Sequence, residues 1–252
     1  MSDSAARQWL PFAPTSRPGC VRLICFPFAG AGASVYRAWS KFLPPVFLVS
    51  PVQLKGREER WNETPHRTMA EIVAELGPAL ADMCDVPSVF FGYSMGALVA
   101  FELVHYLRQA GLPMPSALIV GARGAPHLPS TRTPIWNLPD DRFLAEIREL
   151  GGVSEEILQS PELLEFVMPA LRADLQVCET YRYQQLPPLA LPLVALGGVL
   201  DRHVPQAHLE AWQAHTSLPL TTELFPGGHF FLREHRDLML RSLISFLTRL
   251  AL

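Results

Sequence analysis

The chain has 252 residues, of which 49% are hydrophobic and 18% charged, a composition typical of a compact globular protein rather than a disordered one. Its formal net charge of −3 gives no overall basic field, which argues against nucleic acid as a partner. No apolar run reaches the roughly 18 residues that a bilayer span needs. The N-terminal residues also lack the apolar segment of a secretion signal, so we expect a cytoplasmic protein without membrane contact.

Short apolar runs alternate with longer helical patterns along the chain. Several runs are apolar on both faces, as strands covered by helices on each side must be. This alternation predicts an α/β fold, with a mainly parallel sheet flanked by helices, in a single domain over residues 1–252. The predicted strands are 21–27, 47–54, 88–93, 117–121, 193–197 and 222–225, and the predicted helices are 34–42, 69–83, 95–109, 206–216 and 233–250.

One region, from about residue 134 to 186, breaks the alternation because it contains no good strand pattern. It carries helical stretches such as DDRFLAEIREL and PELLEFVMPALRADLQVCETY. Pro169 within the second stretch predicts a kink or a junction between two helices. We predict that this segment is a helical lid over a site, and ordinary packing helices are the alternative.

The four cysteines, Cys20, Cys25, Cys84 and Cys178, show neither C-x-x-C spacing nor a grouping with histidines. That pattern is not typical of a zinc site. We therefore predict reduced cysteines that serve packing, and no metal site.

The stretch FFGYSMGALVAFEL, residues 90–103, places Ser94 between Gly92 and Gly96, where a predicted strand becomes a predicted helix. A sharp strand-to-helix turn presents a serine hydroxyl free of neighbours, as a nucleophile requires. It also forces a strained backbone in which side chains two residues before and after the serine would collide, and glycine relieves that collision. The G-x-S-x-G pattern alone is a weak signal. The preceding strand and following helix favour a nucleophile over the alternative, a packing turn with a satisfied hydroxyl.

Such a nucleophile needs a base within hydrogen-bond reach and a carboxylate that orients the base. Asp201 directly follows one predicted strand, in LVALGGVLDRHVP, and His229 follows another, in TTELFPGGHFFL. Both lie where the carboxyl ends of strands open onto loops, the usual place for a site in an open parallel sheet. The other seven histidines fit the role of base less well, because each precedes the acid in the chain, is too close to Asp201 in sequence, or lies on a predicted helix. Asp174 is a rival acid, although its helical neighbourhood favours a role in the lid.

Hydrolysis of an acyl group also needs two N–H donors for the developing oxyanion, and Met95 at the start of the predicted helix supplies one. The loop CFPFAGAGASVY after the first strand is rich in glycine and alanine, so its backbone can approach a substrate closely. We predict the amide of Ala29 as the second donor, with Phe28 as the neighbouring alternative. The G-A-G in this loop lacks the remainder of a dinucleotide or P-loop motif, which argues against a phosphate-binding loop.

Six stretches together resemble the type II thioesterases that accompany polyketide and nonribosomal peptide synthetases: FPFAGAGASVYRAW, VQLKGREERWNE, FFGYSMGALVAFEL, LRADLQVCETY, LGGVLDRHV and FPGGHFFL. They are spread along most of the chain, from residue 26 to residue 232, in family order. The resemblance implies an α/β-hydrolase fold, with a helical lid inserted before the strand that carries the acid. It implies Ser94 as nucleophile, His229 as base and Asp201 as the orienting acid.

The activity that the resemblance implies is hydrolysis of acyl groups from the phosphopantetheine thiol of carrier proteins, which clears stalled or wrongly primed units. No metal or bound cofactor is needed, because the phosphopantetheine arm belongs to the partner. We therefore expect acyl- or peptidyl-carrier domains as partners, and a monomeric enzyme. Arg57, Arg60 and Arg67 are candidate docking cations for acidic carrier proteins.

The sequence also allows several alternative interpretations. The GREER segment, residues 56–60, matches a family signature without an assigned chemical role, and a structural loop is as good an interpretation. The AGAG sequence stands where many relatives have AGG, which leaves the second oxyanion donor open by one residue. A general carboxylesterase or lipase is an alternative function. A non-catalytic hydrolase-like scaffold that binds acyl chains is another, although the presence of Ser94, Asp201 and His229 counts against it.

Overall fold

The structure is a computed structural model and describes residues 7–81, 83, 85–130 and 132–250. Six strands form one sheet in the order β2-β1-β3-β4-β5-β6, and every neighbouring pair is parallel. The predicted parallel sheet flanked by helices is therefore confirmed. The strands are β1 (Val21–Phe26), β2 (Phe47–Pro51), β3 (Ser88–Tyr93), β4 (Ala117–Gly121), β5 (Leu193–Gly198) and β6 (Thr221–Phe225).

Helices follow most of the strands and cover both faces of the sheet. Three 3₁₀ segments, Ala38–Lys41, Glu58–Arg60 and Ala211–His215, accompany them. The α-helices are α1 (Ser34–Arg37), α2 (Met69–Ala81), α3 (Met95–Gln109), α4 (Asp140–Leu150), α5 (Glu155–Gln159), α6 (Pro161–Thr180), α7 (Gln206–Glu210), α8 (Phe231–Glu234) and α9 (Arg236–Arg249).

Two apolar cores lie on opposite faces of the sheet. Successive residues of a strand point to opposite faces, and in β1 Leu23 belongs to one core while Ile24 belongs to the other. Helices α2, α3 and α7 pack on the Ile24 side, and α1 and α9 pack on the Leu23 side. Each fully buried aliphatic or aromatic side chain contributes about 1.5–3 kcal/mol of transfer free energy, so the two cores hold the strands in register.

The observed helices differ in several details from the predicted ones. The helix predicted over 206–216 is α7 followed by a 3₁₀ segment, and the helix predicted over 34–42 has the same form. The last predicted helix begins earlier, at Phe231, and is divided at His235 into α8 and α9. Helix α6 runs through Pro169 without a junction, because a helix can continue past a proline at the cost of one backbone hydrogen bond.

Three helices, α4, α5 and α6, lie between β4 and β5 in the segment 134–186. Their apolar side chains form a small core of their own, separate from the two sheet cores. Ala29, in the loop after β1, packs against this third core, and Leu171 of α6 lies against Gly30. On the other side, the Arg233 guanidinium donates a hydrogen bond to the carbonyl of Gly152. The inserted segment thus contacts the loop that follows β1 and the helix α8 that follows β6.

Among the residues that the structure describes, no helix has both the length and the apolar character that crossing a bilayer demands. Cys20, Cys25 and Cys178 are free thiols, and burial raises the pKa of Cys178 to about 11. The fourth cysteine, Cys84, lies outside the described residues.

Candidate active site

Ser94 occupies a strained turn between β3 and α3. Its backbone has φ 53° and ψ −110°, a conformation that non-glycine residues rarely adopt and that costs about 1–3 kcal/mol. The Ser94 N–H donates to the carbonyl of Gly121 at the end of β4, which holds the turn at the carboxyl edge of the sheet. Helix α3 begins with the next residue, so the first N–H groups of the helix lie beside the serine.

Gly92 and Gly96 are both required by close backbone contacts around this turn. A Cβ atom on Gly92 would lie 2.2 Å from the carbonyl oxygen of Gly96. A Cβ atom on Gly96 would lie 2.1 Å from the carbonyl oxygen of Phe26, at the end of β1. The first collision is the one expected from the turn, and the second involves a neighbouring strand. The same contact brings the start of α3 against the chain that leaves β1.

His229 lies between Ser94 and Asp201 and is hydrogen-bonded to both. Its Nε2 is 3.1 Å from the Ser94 Oγ, and its Nδ1 is 2.7 Å from the Asp201 Oδ2. The three residues follow β3, β5 and β6, whose carboxyl ends share one edge of the parallel sheet. The structure therefore brings together the three side chains singled out from the sequence, in the order serine, imidazole and carboxylate.

The carboxylate of Asp201 is buried and fully hydrogen-bonded. Its second oxygen, Oδ1, accepts the backbone N–H groups of His203 at 2.8 Å and Val204 at 3.2 Å. Burial acts to raise the pKa of Asp201, but the hydrogen bond and charge of His229 and the two amides outweigh it. The net effect is a pKa below the usual value, so this carboxylate stays ionised beside the imidazole.

Tyr93 fixes the main chain at His229. Its phenol hydroxyl donates a hydrogen bond of 2.5 Å to the carbonyl oxygen of His229 and accepts one from the N–H of Leu232 at 3.4 Å. The Tyr93 ring is buried and packs against Phe28 and Phe231. Because Tyr93 precedes Ser94 directly, the same turn that carries the serine also holds the loop that carries the histidine. Sequence reasoning did not identify this residue.

The two segments that carry the predicted oxyanion donors, the loop after β1 and the start of α3, pack against each other at Gly96. Met95 is the first residue of α3, where N–H groups have no partner within the helix. Phe28 to Ala31 form a turn closed by the Ala31 N–H and the Phe28 carbonyl at 3.0 Å. This turn follows the backbone of Phe26 and Pro27, against which Gly96 packs. The Ala29 and Phe28 amides are therefore close to the start of α3, and their role stays a prediction.

Sequence reasoning missed the connection between the GREER segment and the loop after β1. Glu58, with φ 49°, accepts the N–H of Ser34 at 3.2 Å and thereby caps α1. Gly32 leaves space for this carboxylate, because a Cβ atom there would lie 2.3 Å from it. Arg57 forms a buried ion pair with Asp174 of α6. The Asp174 carboxylate is therefore occupied by this ion pair, which argues against it as the rival acid.

Two of the three candidate docking cations are buried. Arg57 and Arg60 are each 5% exposed, and Arg60 pairs with Glu63 at 2.6 Å while its guanidinium lies 4.2 Å above the ring of Trp9. Buried and paired guanidinium groups are not available to a partner, so the expectation for these two is wrong. Arg67 is exposed and stays a candidate.

Within the described ranges, no group of three or more His, Cys, Asp and Glu side chains is arranged to hold a metal ion. His127 and His215 form another polar contact, in which their ring nitrogens are 2.7 Å apart. Burial, together with the nearby His127, lowers the pKa of His215 to about 4.

Comparisons with known proteins show which family the chain belongs to. A model of the thioesterase-domain family matches residues 21–249. The gramicidin S biosynthesis protein GrsT of Aneurinibacillus migulanus is 37% identical over 92% of this chain and 91% of that protein. The thioesterase PikA5 of Streptomyces venezuelae is 38% identical over 85% of this chain and 76% of that protein.

The solved structure of BorB, a type II thioesterase from the borrelidin biosynthetic cluster, has a TM-score of 0.86 and 37% identity. The match covers 94% of this chain and 97% of that one. The predicted α/β-hydrolase fold is therefore confirmed, and so is the resemblance to type II thioesterases. This chain belongs to the thioesterase family and is an enzyme that hydrolyses thioesters.

Proposed function

We propose that the protein is a serine hydrolase that removes acyl groups from the phosphopantetheine arms of carrier-protein domains, and so clears stalled or wrongly primed units from a synthetase. The observation that carries the proposal is the hydrogen-bonded series from Ser94 through His229 to Asp201. The carrier-protein substrate is supported by relatives such as GrsT and BorB, whose names place them in the biosynthesis of gramicidin S and borrelidin.

Acylation begins with attack of the Ser94 Oγ on the thioester carbonyl carbon. His229 Nε2, 3.1 Å from the hydroxyl oxygen, accepts the proton as the new C–O bond forms. The Asp201 carboxylate accepts a hydrogen bond from the Nδ1–H of the imidazole, which fixes the tautomer with a free Nε2 and stabilises the imidazolium that forms. Collapse of the tetrahedral intermediate breaks the C–S bond, and the departing thiolate takes the proton from the His229 imidazolium and leaves as the thiol.

The negative charge on the carbonyl oxygen needs donors that are already in place. Met95 supplies one N–H at the start of α3, where the helix dipole adds positive potential. Ala29 supplies the second, from the turn that packs beside α3, with Phe28 as the neighbouring alternative. Removal of one such donor typically lowers kcat by about 10²–10³-fold.

Deacylation uses the same groups in reverse order. His229 removes a proton from a water molecule, whose oxygen attacks the acyl-serine carbonyl carbon. The ester C–O bond breaks, Ser94 regains its proton from the imidazolium, and the free acid leaves. Every proton in the cycle passes through His229, and no cofactor or metal takes part.

An exposed apolar rim adjoins the Asp201 side of the site. Val199 and Leu200, directly after β5, are 58% and 71% exposed and flank an open depression that also includes Arg202. Large aliphatic side chains that are exposed at the mouth of a site form an apolar surface that a partner can cover. We propose that this rim contacts the phosphopantetheine arm of the incoming carrier domain.

A panel of acyl-loaded carrier proteins, scored by mass for loss of the acyl group, tests the proposal. We expect the wild-type protein to release free acids from carrier thioesters faster than it cleaves simple oxygen esters, and the Ser94→Ala variant to release none. Equal turnover of simple esters in the absence of a carrier would identify a general carboxylesterase. Binding of acyl-carrier protein without release of acid would identify a non-catalytic scaffold.

A further inference from the structure

The hydrolytic steps do not use the buried ion pair between Arg57 and Asp174. Arg57 follows β2, Asp174 lies in the inserted helix α6, and 117 residues separate them. The pair is bidentate: Nη2 is 2.8 Å from Oδ1, and Nη1 contacts Oδ2. Asp174 is 1% exposed and Arg57 is 5% exposed. Burial of two charges costs several kcal/mol per ion, so a buried ion pair is weak evidence for a gain in stability. The presence of this pair therefore calls for an explanation other than stability.

Both members of the pair also hold the backbone of the turn after β1. The Asp174 Oδ2 accepts the N–H of Gly30 at 2.7 Å. The Arg57 Nη1 donates to the carbonyl of Ala31 at 3.3 Å, and its Nε donates to the carbonyl of Lys55 at 3.1 Å. The ion pair therefore fixes an N–H and a C=O on adjacent residues of one turn.

The turn has little freedom to move away from this contact. Gly30 has φ +77°, in the region that favours glycine, and a Cβ atom there would lie 2.9 Å from the Leu171 Cδ1. Leu171 and Asp174 are on the same helix, three residues apart and therefore on one face. The Gly30 N–H belongs to the Ala29–Gly30 peptide, so the carboxylate of Asp174 sets the orientation of that peptide plane.

We propose that Asp174 and Arg57 are positioning residues for the oxyanion hole. The Ala29 N–H belongs to the peptide between Phe28 and Ala29, which shares the Ala29 α-carbon with the peptide between Ala29 and Gly30. By fixing the second peptide, the ion pair therefore sets the direction of the Ala29 N–H. The inference rests on the proposed function, because Ala29 is the second oxyanion donor only in that account. It adds that the inserted helices act on the stability of the transition state, besides any contact with the acyl chain.

The test compares kcat with the affinity for a transition-state analogue. In Asp174→Asn, which keeps the shape of the side chain and removes its charge, we expect kcat to fall about 10–100-fold with little change in KM. Affinity for an alkylboronic acid, which forms a tetrahedral adduct on Ser94, should fall by a similar factor. Binding of acyl-carrier protein, measured in a Ser94→Ala background, should be unchanged. Arg57→Lys, which keeps the charge but loses the bidentate fork and the contact to Ala31, should behave in the same way.

The matched control is Arg172→Gln, on the same helix. Arg172 pairs with Asp140 at 2.5 Å and donates to the Trp136 carbonyl, both within the inserted segment. We expect this variant to keep the wild-type kcat and boronic acid affinity. A circular dichroism melt establishes for each variant that the protein is folded at the assay temperature, and if Asp174→Asn is not, Arg57→Lys carries the comparison because it keeps the buried carboxylate paired.

Two results would overturn the inference. One is a folded Asp174→Asn or Arg57→Lys variant with wild-type kcat and boronic acid affinity. The other is a rise in KM alone, which would assign the pair to acyl binding. Failure of the proposed function is a separate result, since it appears in the wild-type protein as an absence of acid release from acyl-carrier thioesters.

Discussion

The imidazole Nε2 of His229 lies 3.1 Å from the hydroxyl oxygen of Ser94, although 135 residues separate them along the chain. The convergence follows from the topology, because parallel strands bring the loops at their carboxyl ends to one edge of the sheet. On the opposite side of the imidazole, the Asp201 carboxylate is ionised and held by two amides as well as by His229.

Replacement of Asp201 by asparagine tests the orienting role of the carboxylate. Because an amide does not stabilise the imidazolium and can favour the wrong tautomer, we expect kcat to fall by about 10³–10⁴-fold. The measurement is kcat on one acyl-carrier substrate, with the wild-type protein as the reference. A wild-type kcat in a folded Asp201→Asn variant would remove Asp201 from this role.

A methyl group at position 96 should damage both the fold and the site. A Cβ atom on Gly96 would meet the backbone of Phe26 at 2.1 Å, and no rotation of a side chain relieves a contact with a carbonyl oxygen. We expect Gly96→Ala to lower the free energy of unfolding by about 3 kcal/mol or more, measured by urea denaturation. Gly228→Ala is the matched control, because a Cβ atom there meets nothing within 4 Å. Equal effects in the two variants would contradict this steric account.

The buried His215 should make the fold sensitive to mild acid. Its pKa is lowered to about 4 in the folded protein, first by burial and then by His127. The unfolded chain, in which a histidine has a pKa of about 6.5, binds more protons between these values, so stability falls as the pH falls from about 6.5 toward 4. We expect a loss of about 2 kcal/mol at pH 5 relative to pH 7.5 from this group. Urea denaturation of wild type and His215→Gln should show a smaller pH-dependent loss in the variant, and an identical loss in both would refute the assignment.

A charge on the exposed apolar rim should weaken the reaction with carrier proteins selectively. We expect Leu200→Glu to raise KM for acyl-carrier protein about tenfold, because an acidic side chain at this rim disfavours burial of the incoming arm. Turnover of a small p-nitrophenyl ester should change little. Leu238→Glu, which places the same charge on an exposed position of α9, is the control and should leave both reactions unchanged. Equal losses on both substrates would show that the rim does not contact the arm.

The strands and the site residues were accessible from sequence because their signals are local. Apolar runs bounded by turn residues located all six strands, and the glycines around Ser94 predicted the turn that the structure contains. Asp201 and His229 were found because each follows a strand directly. A parallel sheet converts that position in sequence into proximity in space.

The contacts between distant loops were not accessible in the same way. Nothing in the sequence near Arg57 indicates that it pairs with Asp174. An aspartate in a predicted helix is expected to be exposed, and only the structure shows that this one is buried. Tyr93 was counted only as a strand residue, although its hydroxyl holds the chain at His229. The division of the helix predicted over 206–216 into α and 3₁₀ turns also depends on packing, since Trp212 and His215 are buried against the sheet core.

Stoichiometric labelling of the serine hydroxyl can show whether Ser94 is the nucleophile. The protein is treated with an alkyl fluorophosphonate, and the adduct is located by mass spectrometry while deacylation of acyl-carrier protein is followed in the same samples. We expect one adduct, at Ser94, with activity lost in proportion to labelling and no adduct in Ser94→Ala. Full activity after complete modification of Ser94, or inactivation by an adduct at another residue, would contradict it.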